Sequence, residues 1–308
     1  MSIRPIKRII EAKPALEGAG VKLRRAFGFG ETGDFDPFLL FDDFRNERPG
    51  DYLAGFPWHP HRGIETITYV LTGTVDHGDS LGNRGTLGAG DVQWMTAGSG
   101  ILHQEMPRGD QQGRMHGFQL WANLPSALKM TAPRYQDVSS PDIPEVVDDD
   151  GTRVRVVCGS FWGMTGPVTG VAANPRYLDV WVPAGRRKTL RVETSQHAFS
   201  YVFEGAGTFR DASAPTGIRT EQVAPPDLTK PFPFGETGNR SLVLFDRGDE
   251  VTVQAGEAGV RFLLISGTPI EEPVAWHGPI VMNTEAELQQ AYTELREGTF
   301  IRTARPGP

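Results

Sequence analysis

ETITYVLTGTVDH, residues 65 to 77, is rich in Thr, Ile, Tyr and Val and breaks at Gly73. Branched and aromatic side chains lose rotamer freedom on a helix and fit a pleated surface, so the run reads as strand. Its centre, TYVLTGTV, has an echo in SYVFEGAG around Gly205, at an offset of 132 residues. A second echo joins AGDVQW and TAGSGILH, within 89 to 103, to RGDEVT and QAGEAGVR, within 247 to 261, at an offset of 158. Two copies of one β module are expected. The larger second offset places a longer loop in the second copy, at SAPTGIRTEQVAPPDLTKPFPFGETGN, residues 213 to 239.

The rest of the chain has the same rhythm. Thirty-seven Gly and 24 Pro punctuate further strand-like runs, among them DVQWMTAG, HGFQLWANL, RVRVVCGSF, YLDVWVPA, HAFSYVFEGAGTF, SLVLFDRG, DEVTVQAG and VRFLLISG. The class is therefore all-β, of barrel or sandwich type. One helix stands out late: Thr284 and Glu287 have capping-box spacing, Leu288, Ala291, Tyr292 and Leu295 form a stripe, and Gly298 ends it. Between Val138 and Gly151 the segment VSSPDIPEVVDDDG is acidic and aperiodic, as a linker is. The expected division is 1–137, a linker at 138–150, and 151–308 with the closing helix.

A net charge of −7 with scattered Lys and Arg argues against direct nucleic-acid binding. No run of 18 apolar residues is present, and the N-terminal stretch lacks a signal-length apolar core. A cytoplasmic protein away from membranes is expected. The single Cys158 fits a reducing compartment, and its apolar run makes it a buried structural thiol.

Chemistry concentrates in WHPHRG and ILHQEM. Residues two apart on a strand share a face, so His59 and His61 project together, and His103 and Glu105 repeat that spacing. Two such pairs make a candidate metal site. Imidazole and carboxylate donors without thiolate suit Fe, Mn, Ni, Cu or Zn rather than Ca or Mg. An octahedral ion would keep two adjacent positions open, which favours Fe(II). Glu65 has the same parity as the histidines, and spacing alone does not separate it from Glu105 as a ligand; a supporting role, fixing an imidazole or pairing with Arg62, is the alternative. The two offsets place Arg191, Glu193, His197, Arg261 and Leu263 opposite His59, His61, Glu65, His103 and Glu105, so a single site in the N-terminal half is expected.

These residues resemble a known family, the pirins, a bicupin branch of the cupin superfamily. The resemblance is carried by PFLLFDDF (37–44), FPWHPHRGIETITYVLTG (56–73), GDVQWMTAGSGILHQEMP (90–107), GFQLWANLP (117–125) and GPIVMNTEAELQQA (278–291). It implies two cupin (jelly-roll) domains, the second degenerate, and a short C-terminal helix. It implies that His59, His61, His103 and Glu105 ligate iron, with Glu65 near the metal but not on it. It implies a quercetin 2,3-dioxygenase-like activity on a small aromatic substrate such as a flavonol, with O₂, where a carboxylate, Glu105 or else Glu65, takes a proton from the substrate hydroxyl. The alternative it carries is a redox-sensitive regulator acting through a protein partner, a transcriptional cofactor or a modulator of metabolic enzymes.

Three weaker signals remain. GFGETG, residues 28 to 33, fits the dinucleotide fingerprint but is followed by Pro37 and four aspartates instead of a helix. Phe56 and Trp58 lead into the ligands and are expected to touch the pocket, whereas Trp94, Met95 and Trp121 read as plain core. His77 reads as a loop residue, and His116 has no same-face partner.

Overall fold

Branched, alternating runs fold as strands in a computed structural model that describes residues 2–210 and 235–302. Most of the long loop expected at 213–239 lies outside the described residues. The first strands are β1 (Ile6–Glu11), β2 (Lys13–Glu17), β3 (Val21–Phe27), β4 (Phe38–Asp43), β5 (Phe56–His61), β6 (Ile64–Thr72), β7 (Thr74–Asp79), β8 (Arg84–Leu87), β9 (Val92–Thr96), β10 (Ile101–Arg108), β11 (His116–Asn123) and β12 (Arg134–Val138). Then come β13 (Glu145–Val147), β14 (Arg153–Cys158), β15 (Ser160–Phe161), β16 (Met164–Thr165), β17 (Arg176–Val182), β18 (Arg187–Arg191), β19 (His197–Phe209), β20 (Thr237–Gly238), β21 (Ser241–Phe245), β22 (Glu250–Gly267), β23 (Ala275–His277) and β24 (Ile280–Met282). Two α-helices complete the set, the one-turn α1 (Thr32–Phe35) and α2 (Glu285–Glu297).

Two compact units result. The first is built from Lys13–Ile143, Pro167–Asn174 and Pro269–Pro308, the second from Met1–Ala12, Pro144–Gly166 and Pro175–Thr268. The expected division is corrected at both ends. β1 hydrogen-bonds to β21 and its Ile6 enters the second unit's core, while the closing helix packs in the first unit. Contiguity in sequence does not decide which sheet edge a terminal segment covers; unpaired edges and apolar stripes do. Part of the expected linker is also strand, because β13 pairs with β14.

The first unit holds a seven-stranded sheet, β12-β9-β6-β11-β4-β3-β2, and a four-stranded sheet, β5-β10-β7-β8. β5 contains Pro57 and Pro60 and is an edge strand, the place where missing N–H donors cost least. α2 has the expected capping box between Thr284 and Glu287, and Gly298 ends it in the left-handed conformation. Its Leu288 and Ala291 pack with Ile280, Met282 and Phe300. No helix among the described residues is long and apolar enough to cross a membrane. Cys158 is buried and in no disulfide, as expected.

The second unit repeats the plan in a nine-stranded sheet around β19 and β22. Gly73 and Gly205, aligned by the 132-residue offset, both have positive φ, +82° and +64°. Strand pairing corrects both offsets around the histidines. β22 lies between β18 and β19 as β10 lies between β5 and β7. His61 and His59 pair with Ile101 and His103, and Leu190 and Lys188 pair with Val251 and Val253. On the other side His103 and Glu105 pair with Asp79 and His77, and Val253 and Ala255 with Phe209 and Gly207. The counterparts of His61, His103 and Glu105 are thus Leu190, Val253 and Ala255, all in the apolar core, and not Glu193, Arg261 and Leu263. The similar glycine turns before each strand misled the alignment by sequence.

Candidate metal site

His59 and His61 sit on edge strand β5, and His103 on the adjacent β10, directly across from His59. Alternation turns all three inward, and their ligand-type nitrogens lie within 4.8 Å of one another. The rings are 4.3 to 5.0 Å apart between centroids. Backbone carbonyls fix two tautomers: His59 Nδ1 donates to Pro57 O at 2.9 Å and His61 Nδ1 donates to Pro279 O at 3.1 Å. A carbonyl can only accept, so the proton is on Nδ1 in each ring and both Nε2 atoms carry lone pairs.

Those two Nε2 atoms face each other at 3.1 Å. Two lone pairs at that distance repel unless a cation is shared between them. A proton is a poor candidate, because burial pushes the His61 imidazole down to about 3, with the neighbouring His59 adding to the effect. His103 is buried, its basicity is likewise depressed chiefly by burial, and neither of its ring nitrogens has a hydrogen-bond partner. Three neutral imidazoles with free lone pairs, two of them held by carbonyls, fit a divalent transition metal. Among the described residues this is the only such group.

Glu105 lies outside that group. The register shifts between His103 and Glu105, and the Glu105 carboxylate accepts from the Thr68 hydroxyl at 2.9 Å. Burial raises it to about 7, against the lowering effect of Thr68. Thr68 Oγ1 also lies 2.7 Å from Gln119 Oε1, so its one proton is shared between two acceptors and ties both side chains to one hydroxyl. His59, His61, Thr68, Glu105 and Gln119 border a cavity of about 590 Å³. Its other walls are largely apolar, including Val21, Leu23, Leu40, Phe44, Phe56, Trp121 and Trp276, with one polar patch where Arg25 grips Asp42 through two hydrogen bonds.

Residues 20–122 match the Pirin family description, and residues 177–301 match the Pirin C-terminal cupin domain. A pirin-like protein of Caulobacter vibrioides is 43% identical over 301 residues, spanning 97% of this chain and 100% of that one. The chain belongs to the pirin family. A Pseudomonas aeruginosa relative with the provisional name quercetin 2,3-dioxygenase is 40% identical, over 96% of this pirin and 98% of its own length. A crystal structure of quercetin 2,3-dioxygenase from Acinetobacter baumannii superposes with a TM-score of 0.82 at 30% identity, covering 97% of this pirin and 99% of that chain. The two β units are the cupin domains of this bicupin, and only the first has the histidine cluster among its described residues.

Other residues singled out in the sequence fall differently. Glu65 faces away from the cavity: Thr68, of opposite parity on β6, lines it, while the Glu65 carboxylate accepts from Thr96 at 2.7 Å. Between His61 and Glu65 the chain leaves β5 and turns at Gly63, φ +77°, so parity does not carry across. Arg62 pairs with Glu294 at 2.8 Å instead of Glu65. Phe56 lines the cavity as expected, but Trp58 is 54% exposed and does not. Trp121, expected as core, borders the cavity and meets the His61 ring edge-on at 5.0 Å; Trp94 and Met95 are core. His77 is a buried strand residue across from Glu105, and His116 hydrogen-bonds to Arg45. Pro279 and Trp276 went unread, although GPIVMNTEAELQQA holds the first of them; their contacts span more than 150 residues.

The depressed histidines set a pH dependence. Each takes up a proton less readily in the folded chain than in the unfolded chain, which protonates below about 6.5, so the unfolded state binds more protons and the histidines make stability fall with falling pH. The raised Glu105 acts oppositely, since the folded state takes up its proton between about 4.5 and 7. Asp42, raised to about 6, and Glu65, raised by burial, act in the same sense as Glu105. The histidine contribution, up to about 1.4 kcal/mol per pH unit each, is therefore read by difference: the metal-free wild type should lose stability relative to metal-free His61→Ala between about pH 7 and pH 5. Thermal melts of both in chelator across that range check this; a difference that stays constant or reverses contradicts it.

Proposed function

We propose that this pirin is an Fe(II)-dependent dioxygenase that opens the ring of a flavonol, of the quercetin 2,3-dioxygenase type. The observation that carries the reading is the facing pair of unprotonated Nε2 atoms at the wall of a largely apolar cavity about 590 Å³ in volume. That volume is in the range of small-molecule sites. The names of the Pseudomonas and Acinetobacter relatives support the substrate class.

In this reading His59, His61 and His103 hold the metal, and Glu105, two residues past His103 on β10, is the fourth donor. A redox-active divalent ion there supplies the electronic coupling between substrate and O₂ that closed-shell organic groups lack. The chain does the rest. Glu105, oriented by Thr68, takes the proton from the flavonol hydroxyl. Phe56, Trp121 and Trp276 hold the planar rings and exclude water, and the Arg25–Asp42 pair meets a peripheral hydroxyl group.

Burying three imidazoles and a carboxylate forgoes apolar burial worth roughly 1.5–3 kcal/mol for each large side chain. The second unit gains that burial at the equivalent Leu190 and Val253. The first unit's choice makes sense as function rather than stability. Quercetin supplied with O₂ to the Fe(II)-loaded protein should lose its flavonol absorbance and release carbon monoxide. Glu105→Gln should lower kcat by about 100-fold or more. Consumption no faster than with free iron excludes the reading.

A further inference from the structure

GFGETG, which is no phosphate loop, has another role. The Glu31 N–H donates to Gly28 O at 3.1 Å, closing a turn in which Gly30 has φ +89°. A turn of this kind demands glycine at that position and displays the residue before it. That residue is Phe29, 75% exposed although it borders the cavity. The base of the turn is fixed, because Phe27 and Phe35 stack at 3.7 Å in the core. An isolated exposed phenylalanine is ordinary. Phe29 differs in its ring contacts. It meets Trp276 edge-on at 5.4 Å, Trp276 lies 6.0 Å from Trp121, and Trp121 lies 5.0 Å from His61. Trp276 is pinned by its indole N–H, which donates to Gly278 O at 2.7 Å. A continuous row of rings thus leads from solvent to a histidine of the cluster, and its outermost member is the one with a free face.

We propose that Phe29 is a specificity-determining residue of this site: with Trp276 it clamps the outer ring of a planar aromatic substrate whose other end lies at His59 and His61. The inference rests on the flavonol reading of the same cavity. An aromatic pair at 4.5–7 Å prefers edge-on or offset geometry; Phe29 and Trp276 already touch in this way, so a third ring docks beside Trp276 against the exposed face of Phe29 and buries it. A flexible aliphatic ligand gains less from two rigid aromatic faces.

The test uses the full-length Fe(II) protein held anaerobic, so that quercetin binds without turnover, with Kd from calorimetry. Phe29→Ala should raise Kd roughly fivefold to tenfold. Phe29→Tyr should stay within about twofold, and Leu81→Ala, which removes an exposed apolar side chain away from the cavity, should change nothing. Iron content should be equal in all four proteins. Once O₂ is admitted, KM should rise in Phe29→Ala with kcat unchanged. An unaltered Kd in Phe29→Ala overturns the clamp. Phe29-dependent binding without turnover keeps the clamp and sinks the dioxygenase; turnover with unaltered KM in Phe29→Ala does the reverse. Failure of the wild type to bind quercetin overturns both.

Discussion

His61→Ala is expected to bring bound metal from about one equivalent per chain to near zero, with affinity at least about 100-fold weaker. The His61 side chain is buried, Pro279 fixes its tautomer and Trp121 braces its ring, so water cannot enter freely to replace it as a donor. The metal-free variant should nonetheless melt close to the metal-free wild type. The lost ring contacts are offset by relief of the Nε2 to Nε2 repulsion at 3.1 Å. What disappears is the metal-dependent rise in Tm, a shift equivalent to about 4 kcal/mol at a thousandfold excess over Kd. Trp58→Ala, at an exposed side chain on the same strand, should bind metal as the wild type does. Full metal loading of His61→Ala, measured by elemental analysis after gel filtration, would contradict the assignment.

The second large effect is on stability. Gly63 has φ +77°, and a Cβ placed on it would come within 1.9 Å of Val281 O. Gly63→Ala therefore pays the left-handed penalty of about 1–2 kcal/mol and must also push β24 away. Lys129 bonds both Gly63 O and Val281 O, so the displacement breaks a buried contact as well. A loss of about 3–5 kcal/mol is expected, or a Tm lower by roughly 10 °C. Because Pro279 lies in the same segment, metal affinity should fall too, though no ligand has changed. Gly33→Ala, where nothing lies within 4 Å of the added carbon, should be silent. Equal melting of Gly63→Ala and Gly33→Ala would show that the first unit does not depend on this close approach.

The histidines were legible because strand alternation is local: two pairs of i, i+2 residues already imply two faces. Glu105 was legible as a neighbour for the same reason, but its partner was not: β10 runs regularly against β7, the extra residue lies on β5, and Thr68 holds the Glu105 carboxylate outside the 4.8 Å group. The parity Glu65 shares with the histidines does not put it on their face, because the chain leaves β5 and turns at Gly63 before β6 begins. The assembly of each unit was hidden for a different reason. β1 and α2 each complete the unit farther from them in sequence, and only edge pairing and apolar complementarity in three dimensions decide that. Pro279, Trp276, Arg25 and Asp42 reach the cavity through such non-local pairings and carry no spacing signal.

The central claim is that His59, His61 and His103 hold one divalent metal. X-ray absorption at the iron edge of the anaerobically loaded wild-type protein tests it most directly. The expected spectrum shows about three imidazole nitrogens near 2.0–2.2 Å with oxygen completing the shell. A shell without imidazole scattering, or no bound iron after gel filtration, would contradict it.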